Sequence, residues 1–205
     1  MVRLLNVAPA SLNSFPFGPW FTHTVAETQA LYFHSGDTKT RAAAACQYAI
    51  DHWRPDLLIN LGTCGGVAED IQPREVVLAE KTVQYDCIDR MQADGEPFLR
   101  KMITRIDCSW LDAPLPDVRR GVIGTADQDL CEESAQRLRQ HGVLAVDWES
   151  GAIAKICELN GVRCVILRGV TDLDASYEDY CANTPLVMEA LLKRAVDIVR
   201  CVPWS

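Results

Sequence analysis

The stretch ESGAIAKICELNGVRCVILRGV, residues 149–170, sets small and apolar residues at helical spacing directly before a run that is apolar at almost every position. A strand of that second kind is buried on both faces, so the sheet that holds it must be covered on both sides. Similar runs recur at residues 3–8, 30–35, 56–62, 75–83, 120–126 and 163–170, and helical patterns lie at 39–53, 129–141, 149–159 and 184–202. Strand alternating with helix predicts an α/β fold with a central, twisted, mostly parallel (mixed) β-sheet flanked by helices. Residues 86–119 break the alternation and read as an irregular excursion.

The chain has 205 residues, 48% of them hydrophobic and 23% charged, which suits a single domain spanning 1–205. A formal net charge of -8 argues against nucleic acid or an anionic membrane as a partner, since either favours a basic face. A neutral or cationic small molecule is easily accommodated. No run approaches the roughly 18 apolar residues of a membrane span, and the opening residues lack a continuous apolar signal segment. The nine cysteines are odd in number with no CxxC spacing, and the four histidines lie far apart. These point to reduced thiols in a cytoplasmic protein, with no metal and no organic cofactor.

In α/β sheets ligands bind beyond the carboxyl ends of strands, and four such places stand out. Residues 34–43, HSGDTKTRAA, offer Gly36 and a helix start with Lys39 and Arg41, either an anion site or a turn with solvated cations. Residues 60–66, NLGTCGG, bring backbone close to a ligand around Thr63, Cys64 and Gly65, or make a tight crossover. Residues 121–130, GVIGTADQDL, place Asp127 and Asp129 after a strand, as cap or as site. The run LAVDWESGAIA, residues 144–154, carries Asp147, Trp148 and Glu149 within an otherwise apolar or small-residue stretch, and Asp172 follows the next strand. Buried acids are costly unless paired or chemically employed, so these are a helix-start pair with a cap, or the wall of a site. One helix and one strand join Glu149 to Asp172, a topology that lets the two carboxylates converge. A converged pair suits acid catalysis on a heterocycle with one member and a grip on sugar hydroxyls with the other.

Taken together, INLGTCGGVAEDIQPREVVLAEKTVQYD, VDWESGAIAKICELNGV and VILRGVTDLDA resemble the nucleoside phosphorylase and nucleosidase superfamily, most closely its 5'-methylthioadenosine/S-adenosylhomocysteine nucleosidase branch. The likeness runs, with gaps, from about His34 through the TDLDA phrase. It implies cleavage of the N-glycosidic bond of a purine nucleoside or nucleoside-like metabolite, and a homo-oligomer. By that resemblance Asp172 protonates N7 of the leaving purine, Glu149 holds the ribose hydroxyls and Trp148 lines the sugar and base pocket. The departures are equally specific. The branch's acidic phrase after its first strand is replaced by NVAPASLNSF, with no acid before Glu27, and no glycine-rich phosphate loop stands there either. SGDTK replaces the branch's SGIGK, and ADQDL keeps Asp127 but sets Asp129 where an aromatic stacks on adenine. Water as acceptor is the leading expectation. The alternatives are a phosphorylase using Lys39 or Arg41 for phosphate, and a binding protein that has lost turnover.

Overall fold

Residues 4–89, 91, 100–111, 115–173 and 175–204 are described by the computed structural model of the chain. The run at 163–170 is the centre of strand β9, Arg163–Asp172, and from Cys164 to Thr171 every residue is buried, as its composition requires. It pairs in parallel with β4, Leu57–Gly66, and in antiparallel fashion with β5, Val76–Gln84. Strands β7 (Val118–Thr125) and β8 (Val143–Asp147) complete the circuit, and β6 (Ile103–Arg105) is added outside β5. The order is β6-β5-β7-β8-β4-β9, with β9 returning to β5, so the expected mixed sheet closes on itself. Closure removes the free edges that an open sheet would leave at β5 and β9.

Helices cover this ring on the outside. Helix α1 (Thr38–Trp53) and α3 (Ser150–Asn160) pack Ala42, Cys46, Ile153 and Cys157 against Ile166 and Ile123. Helix α4 (Tyr177–Cys201) buries Leu191 and Ile198 against Leu78, Val165 and Leu167 on the other side. Helix α2 (Glu132–Gln140) sets Leu138 beside Val143. Burying each of these large aliphatic side chains contributes about 1.5–3 kcal/mol.

Several sequence expectations are corrected. Residues 3–8 do not form a strand where described: residues 4–6 make a turn with Asn6 at φ 53°, and Pro9–Ser11 form a single 3-10 turn. The run at 30–35 does form a strand, β3 (Thr28–Phe33), but in a separate antiparallel sheet with β1 (Asn13–Phe15) and β2 (Gly18–Val25). An aromatic cluster of Phe15, Phe33, Tyr48 and Trp53 fastens that small sheet to α1. Helix α4 starts at Tyr177 instead of residue 184, because Ser176 caps it by accepting from the Asp179 amide, with Glu178 and Asp179 in the first turn. Pro185 is carried inside the helix, where the Cys181 carbonyl it leaves unbonded belongs to an exposed residue. Helix α2 starts at Glu132, so Asp129 does not cap it. Of the excursion at 86–119, residues 90, 92–99 and 112–114 lie outside the described residues.

Candidate active site

Strands β4 and β8 meet only at their carboxyl ends, where Gly65 pairs with Val146 and Gly66 with Ala145 in antiparallel register. Strand β9 runs beside β4 to the same end, with Asp172 opposite Gly65. Three carboxyl termini therefore converge, and they bring Thr63, Cys64 and Gly65, Trp148 and Glu149, and Asp172 to one cavity of about 1760 Å³. Gly36 and Asp129 line it as well, whereas Lys39, Arg41 and Asp127 do not.

The two buried acids of the 144–154 run have separate duties. The Asp147 side chain is 1% exposed and pairs with Arg168 of β9 at 2.5 Å. It also accepts from the Thr125 hydroxyl at 2.7 Å, the Ser150 hydroxyl at 3.0 Å and the amides of Glu149 and Ser150. Arg168 continues to Asn60 of β4 at 2.7 Å. Gly62 is required here, because a Cβ at that position would lie 2.8 Å from the Arg168 guanidinium. Asp147 is thus a fastening that joins β7, β8, β9, β4 and the start of α3. Such a charge is tolerated in the interior because its lone pairs are filled.

Glu149, fixed through its own amide by Asp147, turns its carboxylate toward the entry of α1, where the Thr38 amide donates to Oε1 at 3.2 Å. Gly36 at φ 84° and Thr38 at φ 76° bend the chain so that this amide faces the site. Burial, and then the nearby Asp147 charge, push the Glu149 carboxyl up to about 7, against the opposing pull of Arg168.

Asp172 Oδ1 stands 2.7 Å from the Thr171 hydroxyl, which is also 3.1 Å from the Cys64 carbonyl. Its other oxygen lies against Gly65, at 3.7 Å from where a Cβ would stand. The Thr171 carbonyl accepts from Asn183 of α4, which Arg74 holds in turn at 2.8 Å. Burial pushes the Cys64 thiol up, so it faces the cavity as a neutral group.

The cations at the start of α1 are arranged differently from an open anion site. The Lys39 ammonium sits 2.5 and 2.7 Å from the two oxygens of Asp86 and 3.8 Å from Asp127, while its amide donates to Asp127 at 2.8 Å. Arg41 lies over Gly36, and one of its terminal nitrogens is 3.5 Å from the Phe17 carbonyl. Asp86, Asn183 and the Arg168–Asn60 contact escaped the reading of the sequence. Asp86 follows the end of β5, Asn183 lies within α4, and Arg168 and Asn60 lie inside β9 and β4; only the folded register assigns their partners.

The family model described as the phosphorylase superfamily matches residues 6–200. The chain is 28% identical over 167 residues to the 5'-methylthioadenosine/S-adenosylhomocysteine nucleosidase of Oceanobacillus iheyensis, covering 75% of this chain and 72% of that protein. It is 25% identical over 185 residues to the enzyme of the same name from Marinomonas sp., covering 78% of each. Among solved structures, the Neisseria meningitidis nucleosidase in complex with methylthio-immucillin-A superposes with a TM-score of 0.83 at 23% identity, covering 98% of this chain and 96% of that one. The futalosine hydrolase of Helicobacter pylori superposes with a TM-score of 0.80 at 17% identity, covering 97% and 92%. At these identities the superpositions show a shared fold.

Proposed function

The chain belongs to the phosphorylase superfamily, and from that membership we propose that it hydrolyses the N-glycosidic bond of a purine nucleoside of the 5'-methylthioadenosine or S-adenosylhomocysteine type. The observation that carries this reading is the convergence of Glu149 and Asp172 on one cavity from the joined ends of β8 and β9. Breaking the C–N bond sends its electron pair to the base and leaves an oxocarbenium-like sugar. Asp172 gives a proton to purine N7 as the bond breaks and so turns the base into a neutral leaving group. Glu149 accepts from the ribose hydroxyls, and its negative charge favours the cationic sugar as that charge develops. Trp148 lines the sugar and base side, with Thr63, Cys64 and Gly65 as the close backbone floor and Asp129 at the base end.

Water is the acceptor in this proposal. Lys39, the nearest ammonium to the Gly36 turn, is neutralised by Asp86 and Asp127, and Arg41 is folded over the glycine, which favours hydrolysis over phosphorolysis. We place the protein in the cytoplasm as a homo-oligomer. The described cysteines are all free thiols, and no described helix is long and apolar enough to cross a membrane.

The test is an incubation of the purified protein with 5'-methylthioadenosine, S-adenosylhomocysteine, adenosine and inosine, with and without phosphate, scoring free base. Base released equally in both buffers, and reduced about 10²–10⁴-fold in Asp172→Asn, is the expected result. Phosphate-dependent release would replace hydrolysis by phosphorolysis, and unchanged turnover in Asp172→Asn would remove the acid from the mechanism.

A further inference from the structure

Hydrolysis releases a proton that Asp147, Glu149 and Asp172 are not placed to accept. When water attacks C1' of the sugar, one of its O–H protons must leave, and a nearby basic group speeds that transfer. Asp147 is filled by Arg168, Thr125 and Ser150, Glu149 is engaged by the ribose hydroxyls, and Asp172 acts at the purine, across the sugar from the water. The other carboxylates and imidazoles lining the cavity, among the described residues, are Asp37, Asp56, Asp129, His34 and His52. Asp56 precedes the first residue of β4, about 30 Å along the strand from Gly65. His52 is in the last turn of α1, about 21 Å from Thr38 at its start. Asp129 is assigned to the base end. His34 accepts from the Gly36 amide through Nδ1 at 3.2 Å, which leaves its ring hydrogen on Nε2 and makes it a donor. Asp37 remains.

Asp37 stands just before α1, extended at φ -94° and ψ 151°, where an aspartate ordinarily caps a helix with its side chain. It makes no such bond. Acids from other elements satisfy the first amides instead: Glu149 accepts from Thr38 at 3.2 Å and Asp127 from Lys39 at 2.8 Å. Among the described residues no hydrogen bond or ion pair engages the Asp37 carboxylate, which is exposed and lines the cavity. The Thr38 amide is one peptide unit from the Asp37 Cα, so that atom lies within about 6 Å of Glu149 Oε1. The two side chains share a field: after burial and Asp147, the Asp37 charge is a further cause pushing the Glu149 carboxyl up. Stereochemistry then places the water. In a β-ribonucleoside the 2' and 3' hydroxyls lie on the ring face opposite the purine, and a nucleophile displacing the purine attacks C1' from that same face. The group that holds the hydroxyls and the attacking water are therefore neighbours, and Asp37 is the unengaged carboxylate beside Glu149.

We propose that Asp37 is the general base of the hydrolysis, its carboxylate taking a proton from the water that attacks C1'. This role rests on the hydrolytic reading and on Glu149 holding the ribose. The C1'–O bond forms as the C1'–N bond breaks, and the electron pair of the broken bond goes to the purine. Asp172 supplies one proton to N7 while Asp37 collects one from the water. Asp37 then releases its proton to solvent and Asp172 takes one up, so each turnover consumes only nucleoside and water. The position is particular to this chain, because SGDTK sets Asp37 where SGIGK has an apolar residue.

The experiment compares the unaltered protein with Asp37→Ala and Asp37→Asn on 5'-methylthioadenosine, with and without sodium azide, scoring adenine and the 1-azido sugar. Azide has no proton to lose, so it can replace an activated water but not a missing purine acid. In both variants kcat and kcat/KM should fall together by about 10²–10⁴-fold, and azide should return about tenfold or more of that loss in Asp37→Ala, with the azido sugar as product. Asp172→Asn should gain nothing from azide. The Asp37 side chain makes no bond that folding needs and Asn keeps its shape, so circular dichroism of the variants should match that of the unaltered protein. Unchanged turnover in Asp37→Ala overturns the role. So does a loss that azide leaves untouched, which would make Asp37 structural. Adenine released by the unaltered protein only with phosphate, or not at all, overturns the hydrolytic reading itself and this step with it.

Discussion

Glu149 is held in a state that costs stability and, in the proposed function, serves binding. Its carboxyl, pushed up to about 7 from an ordinary 4.5, takes a proton more readily folded than unfolded. Between those values the folded chain binds the extra proton, so stability falls as pH rises from 4.5 to 7 and stays lower above it. The difference corresponds to about 2–3 kcal/mol after allowance for partial exposure. Glu149→Gln removes that cost: it should raise thermal stability at pH 8 by this order and leave it unchanged at pH 4. The same substitution should raise KM for nucleoside by about tenfold or more, since a carboxylate accepts two hydroxyl hydrogen bonds more strongly than an amide. In the unaltered protein KM should rise as pH drops from 8 to 6 and Glu149 loses its charge; a flat KM across that range would remove Glu149 from the ribose site. At this scale the sequence was informative, because an acid in an apolar run after a strand has few explanations. The residues alone did not separate Asp147 from Glu149, and only the resemblance singled out Glu149. Two residues apart in one phrase, Asp147 meets Arg168 of β9 whereas Glu149 meets the Thr38 amide at the start of α1.

Among the elements, the fastening at Asp147 decides whether β8, β9 and α3 hold the site in register. Arg168 and Asp147 are both almost wholly buried, and removing only the cation leaves an uncompensated carboxylate. Arg168→Met should therefore destabilise the chain by about 3–5 kcal/mol in urea denaturation. Adding Asp147→Leu to that variant should recover part of the loss, and the double-mutant cycle isolates the pair's coupling. A loss in the double variant equal to the sum of the two single losses would mean that the two residues act independently. The elements were legible where composition is strong: the runs at 56–62, 75–83, 120–126 and 163–170 fall, to within one residue, in β4, β5, β7 and β9. The sequence was silent where pairing, not composition, makes the strand. Strand β8 is five residues long and reads as the approach to a helix, and β2 contains Pro19 and alternating polar residues. The start of α4 was hidden because Pro185 reads as a first-turn residue, whereas the cap is Ser176, nine positions earlier.

For the whole molecule, closure of the ring was not legible, since it rests on the three-residue pairing of Val76, Val77 and Leu78 with β9, which no local pattern encodes. The acidic balance was legible, and it has a consequence for substrate choice. With a formal charge of -8 and with Asp129, Glu149 and Asp172 all lining the cavity, the protein repels anions at long range and within the site. The sugar's 5' carbon is the point at which a nucleotide differs from a nucleoside, and the cations at the α1 start are already paired with Asp86 and Asp127 or folded over Gly36. Adenosine 5'-monophosphate should therefore be turned over at least about 100-fold less efficiently than 5'-methylthioadenosine, measured as kcat/KM. Salt separates the long-range part of that selectivity from the local part. Raising ionic strength from about 0.01 M to 1 M shortens the screening length from about 30 Å to 3 Å. The discrimination should then narrow by several-fold without vanishing, because desolvation against carboxylates inside the cavity is screened far less than the field outside it. A nucleotide handled as well as the nucleoside at low salt would mean that a cation near the sugar end is free in solution, with Lys39 released from Asp86 as the first place to look.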